Sequence, residues 1–220
     1  MRSSKTLLKL VVSTVFALLV GYSLSLSPVE ANRNGSPTAH TGAPGELTCA
    51  MSGCHASYAV NSGSGKLTLD GLPDGGYVLY QEYDFTVTLT QGQHQRYGFQ
   101  VTALDDQGQQ AGTLSVKDGS QTQLQAGTVL TNPRQYLTQL KNGDGFNSWT
   151  IHWKAPGNGV GRVTFYLAGL IGNNNDKVDG DYVYTLSKVL PQAPIAPAAV
   201  PCSLPRSRPA SFEKSALLPK

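Results

Sequence analysis

Apolar and polar residues alternate with a period of two through the middle of this chain. Phe85, Val87 and Leu89 alternate with Thr86, Thr88 and Thr90, and Phe99, Val101 and Ala103 with Gln100 and Thr102. Trp149, Ile151 and Trp153 share one face of a third segment, with Thr150 and His152 on the other; Val163, Phe165 and Leu167 share a face of a fourth. A two-residue period rich in β-branched and aromatic side chains predicts half-buried strands. Turn clusters separate them: Pro73-Asp74-Gly75-Gly76, Asn142-Gly143-Asp144-Gly145 and Pro156-Gly157-Asn158-Gly159. No long stretch has helical periodicity. Short strands with frequent turns predict an all-β fold, an antiparallel β-sandwich of two sheets of the immunoglobulin-like kind, over residues 66–188.

The flanks have a different character. Arg2, Lys5 and Lys9 precede an apolar run from Leu10 to Val20, and Val29-Glu30-Ala31 supplies small residues of the kind a signal peptidase reads. Residues 1–31 are therefore expected to be a signal peptide cleaved after Ala31, which predicts a secreted, periplasmic or cell-surface protein. The apolar run is short for a membrane span. Residues 32–65 are rich in Gly, Pro, Asn and Thr in their first half and are expected to be irregular. Residues 189–220 are proline-rich and aperiodic, which predicts a disordered tail without an apolar anchor.

The formal net charge of the 220-residue chain is only +3. The signal contributes three of the basic side chains, so the balance gives no case for nucleic acid or a membrane surface as partner. No nucleophile elbow, HExxH zinc motif or phosphate-binding glycine loop is present, which argues against an enzyme.

The chemistry concentrates in Cys49-Ala-Met-Ser-Gly-Cys54-His55. Attachment of a c-type haem needs two thiols for the vinyl groups and a histidine beside the second for the iron. The spacer here is four residues where two is usual. Cys49 and Cys54 are thus candidate thioether donors, with His55 as the proximal axial ligand of haem c. Export leaves a second reading open, a local disulfide between Cys49 and Cys54 beside an incidental histidine. Zinc fits less well, since structural zinc takes four ligands. For the opposite face of a haem the candidates are His94, in the Gln91–Gln95 loop, and His40, on the lead-in. His152 points away from the tryptophan face, and Met51 lies within the attachment loop itself. Cys202 is left over in the tail.

Two further clusters have simpler explanations. Asn173-Asn174-Asn175-Asp176 with Asp179-Gly180-Asp181 is rich in oxygen ligands, but its spacing matches no EF-hand, and Asx turns account for it. Tyr166, Tyr182 and Tyr184 could present a carbohydrate platform, though packing in the sandwich is the simpler use.

A series of motifs in order resembles one family. Thr41-Gly42-Ala43-Pro44-Gly45-Glu46 opens it, then Cys49 and Cys54-His55, Gly76-Tyr77, Tyr97-Gly98-Phe99, Ala111-Gly112, Ser148-Trp149, Trp153-Lys154-Ala155-Pro156, Val163-Thr164-Phe165-Tyr166 and Gly180-Asp181. Over roughly residues 41–187 the chain resembles the bacterial reelin-like (reeler) proteins known as choice-of-anchor V proteins. The resemblance implies a secreted, surface-associated β-sandwich opened by a haem-type Cys/Cys/His motif. Relatives usually carry the shorter C-x-x-C-H spacer. Many have a histidine in a Tyr-x-Thr-His stretch where this chain reads Tyr136-Leu137-Thr138-Gln139, so a second axial ligand from that position is absent here. Two functions follow. The first is an exported haem protein for electron transfer or haem-based ligand binding, with a redox partner protein or cell-surface component. The alternative is an adhesion or matrix-binding module with a Cys49–Cys54 disulfide.

Overall fold

The computed structural model describes residues 32–91 and 96–194. The expected signal peptide, His94, Cys202 and the tail from residue 195 lie outside the described residues. Among the described residues nine strands form: β1 (Lys66–Asp70), β2 (Glu82–Thr90), β3 (Arg96–Leu104), β4 (Thr113–Val116), β5 (Thr122–Val129), β6 (Asn132–Gln139), β7 (Ser148–Lys154), β8 (Val163–Gly172) and β9 (Tyr182–Leu190). A single 3₁₀ turn, Lys141–Gly143, lies between β6 and β7. One sheet runs β1-β2-β7-β4, the other β5-β6-β3-β8-β9, and every pairing between the strands is antiparallel. This is the two-sheet sandwich that the alternation predicts.

The period of two places the core. Phe85, Val87 and Leu89 of β2 and Trp149, Ile151 and Trp153 of β7 face Phe99, Val101, Phe165 and Leu167 of the other sheet, all buried. Trp149 stacks on Phe99 with ring centroids 4.5 Å apart, and Trp153 meets Phe165 edge-on at 5.0 Å. The indole N–H groups donate to the carbonyls of Gly143 and Ala111, so neither tryptophan buries an unpaired donor. The chain stays paired beyond Lys188. β9 runs to Leu190, Tyr77 N–H donates to Pro191 O, and Ala193 N–H donates to Tyr77 O, because the buried Tyr77 offers this last segment an open backbone edge.

The five-stranded sheet departs from half-burial. On β3 the polar Gln100 and Thr102 are as buried as Val101, because the irregular lead-in lies across the sheet's outer face. Gln100 spends its whole amide on it: His40 N–H donates to Oε1 at 2.9 Å, and Nε2 donates to Pro37 O at 2.8 Å. Ser36 N–H reaches Thr138 Oγ1 at 3.3 Å. Gly35 makes the approach feasible. Its φ is +101°, and a Cβ there would meet Thr138 Cγ2 at 2.6 Å.

A buried ion pair fixes the far end of the lead-in. Arg134 of β6 donates Nη1–H to Glu46 Oε1 at 2.5 Å, with both side chains almost wholly enclosed, and Tyr136 O–H donates to the same oxygen at 2.7 Å. Thr41 O–H donates to Oε2 at 2.6 Å, and Arg134 also donates to the carbonyls of Pro44 and Gly108. Burial, with the adjacent Glu46 carboxylate, holds the Tyr136 phenol well above its usual pKa.

Two outcomes test this account of packing. Trp149→Ala or Trp153→Ala is expected to destabilise by about 3–5 kcal/mol through lost burial and a cavity, while Thr150→Ala on the exposed face changes denaturant stability little. Glu46→Ala is expected to cost about 3–5 kcal/mol by stranding a buried guanidinium. The pair replacement of Glu46 and Arg134 by Gln and Met should recover much of that loss in the same titration.

Candidate functional site

The Cys/His loop is closed by its own backbone. His55 N–H donates to Cys49 O at 3.1 Å and Cys54 N–H to Met51 O at 3.0 Å, so both thiols and the imidazole project from one tight turn. Gly53 takes φ +86° within it. The two thiols are not bonded to one another. The Cys49 sulfur is set among protein atoms, although the residue keeps some exposed surface, and the Ser36 hydroxyl lies 4.0 Å from it. Burial pushes the Cys49 thiol up to about 11, with Ser36 opposing the shift. The thiol is therefore protonated at neutral pH, which slows disulfide exchange and other thiolate chemistry.

His55 is held from across the molecule. Its Nδ1 lies 2.6 Å from Asp181 Oδ2, at the start of β9 and 126 residues away in sequence. The imidazole is 14% exposed and the carboxylate 4%. Asn173 N–H donates to the other carboxylate oxygen at 2.9 Å, which fixes Asp181 in turn. A carboxylate only accepts, so Nδ1 carries a hydrogen, and in the neutral imidazole Nε2 is the lone-pair nitrogen. Ligating histidines usually have this arrangement: a second group holds one ring nitrogen so that the other can bind metal.

His40 has the same tautomer for another reason. Its Nδ1 faces two carbonyl oxygens, Thr38 O at 2.8 Å and Pro37 O at 3.1 Å, and must donate to them. Nε2 is engaged too, 3.3 Å from Met51 Sδ and within hydrogen-bonding reach of that thioether. Gln100 positions this histidine through its backbone N–H, as described above.

A cleft of about 160 Å³ brings these groups together. It is lined by His40, Cys49, Cys54 and His55, with Phe99, Leu170 and other residues of the sheet and lead-in completing its walls. Gln139 is also in the lining. Its Oε1 accepts from Phe99 N–H at 2.9 Å and from Thr138 O–H at 3.0 Å, so its side chain stands in for ladder pairing where β6 and β3 part. The amide crosses the cleft floor over Gly98, where a Cβ would lie 3.0 Å from Gln139 Nε2. Among the described residues no three His, Cys, Asp or Glu side chains converge closely enough to hold a bare metal ion. A haem distributes its protein links around a macrocycle, and the donors here are distributed around a cleft.

Other candidates fall elsewhere. His152 sits on the outer face of the four-stranded sheet, with Nδ1 2.8 Å from Asp84 Oδ1. The Asn173–Asp181 segment is tied by Asx-type bonds, such as Lys177 N–H to Asn175 Oδ1 and Asn175 N–H to Asn173 Oδ1. Tyr184 is buried, its O–H donating to Gln91 Oε1 at 2.8 Å, while Tyr182 stacks on Tyr58 at 4.3 Å. Tyr182 and Tyr184 meet at Gly63, while Tyr166 lines a different hollow. Asp181 is the site residue that the sequence pattern did not single out; Gly180-Asp181 reads there as a turn.

No protein-family model matches the sequence, and no curated protein matches it. Among solved structures the chain is similar to the reeler domain of human F-spondin, at 20% identity over 61% of this chain and 91% of that one, with a TM-score of 0.45. It is also similar to a cohesin module from a family 33 glycoside hydrolase of Clostridium perfringens, at 10% identity over 59% and 96%, with a TM-score of 0.42. Neither likeness says anything of this chain's ligand or partner.

The unequal surroundings of the two thiols have a measurable consequence. At pH 8, iodoacetamide is expected to alkylate Cys54 well before Cys49 in folded protein made without haem attachment, as read by peptide mass mapping. Equal rates would show that the Cys49 sulfur is not shielded.

Proposed function

We propose that this is an exported haem protein. Cys49 and Cys54 carry a c-type haem, and His55 Nε2 is its proximal ligand. The observation that carries the reading is the 2.6 Å contact between His55 Nδ1 and Asp181, which leaves Nε2 as a ligand nitrogen beside two unpaired thiols. An incidental histidine next to a disulfide has no need of a buried carboxylate.

The chain's own residues do the positioning. Cys49 and Cys54 would hold the haem through thioether links, each formed by adding S–H across a vinyl double bond, so no oxidant would be required. The Asp181 carboxylate orients His55 and makes it a stronger donor. His40, on the same cleft, would be the candidate second ligand if Nε2 gave up its contact with Met51 Sδ; His94 lies outside the described residues. When bound, haem supplies a one-electron couple or a site for a small ligand, and the second axial ligand decides which. With His40 in place the reading is electron transfer with a redox partner protein in the periplasm or at the cell surface. Among the described residues no helix is long and apolar enough to cross a membrane.

Intact mass of exported protein, made with haem-attachment machinery, tests the reading. The expected mass is the polypeptide plus one haem. Cys49→Ser or Cys54→Ser leaves at most one thioether, and His55→Ala keeps the mass while shifting the visible spectrum. The bare polypeptide less two hydrogens would instead indicate the disulfide, and with it the adhesion alternative.

A further inference from the structure

A second hollow, of about 60 Å³, adjoins the cleft and shares Asn32, His55, Gly98, Gln139 and Leu170 with it. His55 stands where the two meet, and their chemistry is opposite. The larger hollow holds the thiols, His40 and apolar side chains, with no Asp, Glu, Lys or Arg in its lining. The smaller one is lined by Arg33, Arg96 and Lys177, with Asp144, Asp176 and Asp181.

The carboxylates there are engaged. Asp144 takes two N–H donors from Arg33, at 2.5 and 3.1 Å, Asp176 takes one from Arg96 at 2.6 Å, and Asp181 serves His55 and the Asn173 amide. A guanidinium has five N–H donors, so neither arginine is exhausted by its partner. Each is held at a fixed place with donors to spare, which suits it to binding a further carboxylate.

Haem has the same polarity. One edge carries the vinyl groups, the opposite edge two propionates. We propose that Arg33 and Arg96 receive the haem propionates in the smaller hollow, with Lys177 at its rim, while Cys49 and Cys54 hold the vinyl edge. This rests on the haem reading above and goes further, giving the haem one orientation in the cleft and its charged edge two named partners. Arg33 and Arg96 are positioning residues, and they also place positive charge beside the haem.

The test uses holoprotein whose attached haem has first been established by mass. Midpoint potentials are measured by spectroelectrochemistry at one pH for the wild type, Arg33→Gln, Arg96→Gln, the two Arg→Lys variants and Arg162→Gln. Arg162 pairs with Asp106 away from the cleft and serves as control. Removing a positive charge near the iron disfavours the added electron, so both Gln variants should have lower potentials. The Lys variants should keep most of the wild-type value, and Arg162→Gln all of it. Resonance Raman propionate bending bands should shift in the Gln variants alone. Wild-type potentials and unchanged propionate bands in both Gln variants, with haem attached, would overturn the proposal and leave the haem reading standing. A folded wild type without haem would remove both. If Arg33→Gln fails to fold, Arg33→Lys and Arg96→Gln still decide the matter.

Discussion

The site depends on one buried contact, the Glu46–Arg134 pair with Tyr136. Residues 32–48 have almost no regular pairing of their own, only the Thr41–Thr48 bridge. What keeps them on the outer face of the five-stranded sheet is a set of polar contacts, and the charged pair is the one with the most to lose. A buried ion pair is weak evidence for net stability, since desolvation offsets much of its attraction. Its value is in placement, because moving the lead-in away would take from Arg134 both the Glu46 carboxylate and the Pro44 carbonyl that it is bonded to. With Glu46 fixed, the chain re-emerges at Cys49 beside the sheet, and Gln100 sets His40 on the same cleft.

Much of the fold was legible in the sequence, and the reason is local. Alternation at Phe85–Leu89, Trp149–Trp153 and Val163–Leu167 reports a strand's two faces directly, and those residues form the core. The outer face of β3 was not legible. Gln100 reads as the polar side of an alternating strand, and it is buried, with Thr138 beside it, because a segment some sixty to a hundred residues earlier covers both. The chemistry of Cys49, Cys54 and His55 was visible because the three lie within one short motif. Asp181 was not, since its role comes from a contact spanning the whole sandwich. His40 stood in the sequence as one candidate among several, and only the lead-in's path across β3 brings it to the thiols.

The arrangement separates two tasks. On the proposed reading the loop would supply covalent attachment and a ligand nitrogen, while the sheet and lead-in supply orientation: Asp181 for His55, Gln100 and the Pro37 and Thr38 carbonyls for His40, and the Gln139 amide for the floor. Charge is kept to one end of the cleft.

The visible absorption spectrum of wild-type protein exported into a periplasm with active haem attachment tests the central claim most directly. The account predicts a coloured protein with an intense Soret band, and sharp α and β bands on reduction that survive acidified organic extraction because the haem is covalently linked. A colourless, folded protein whose only absorption is that of its aromatic side chains would contradict it.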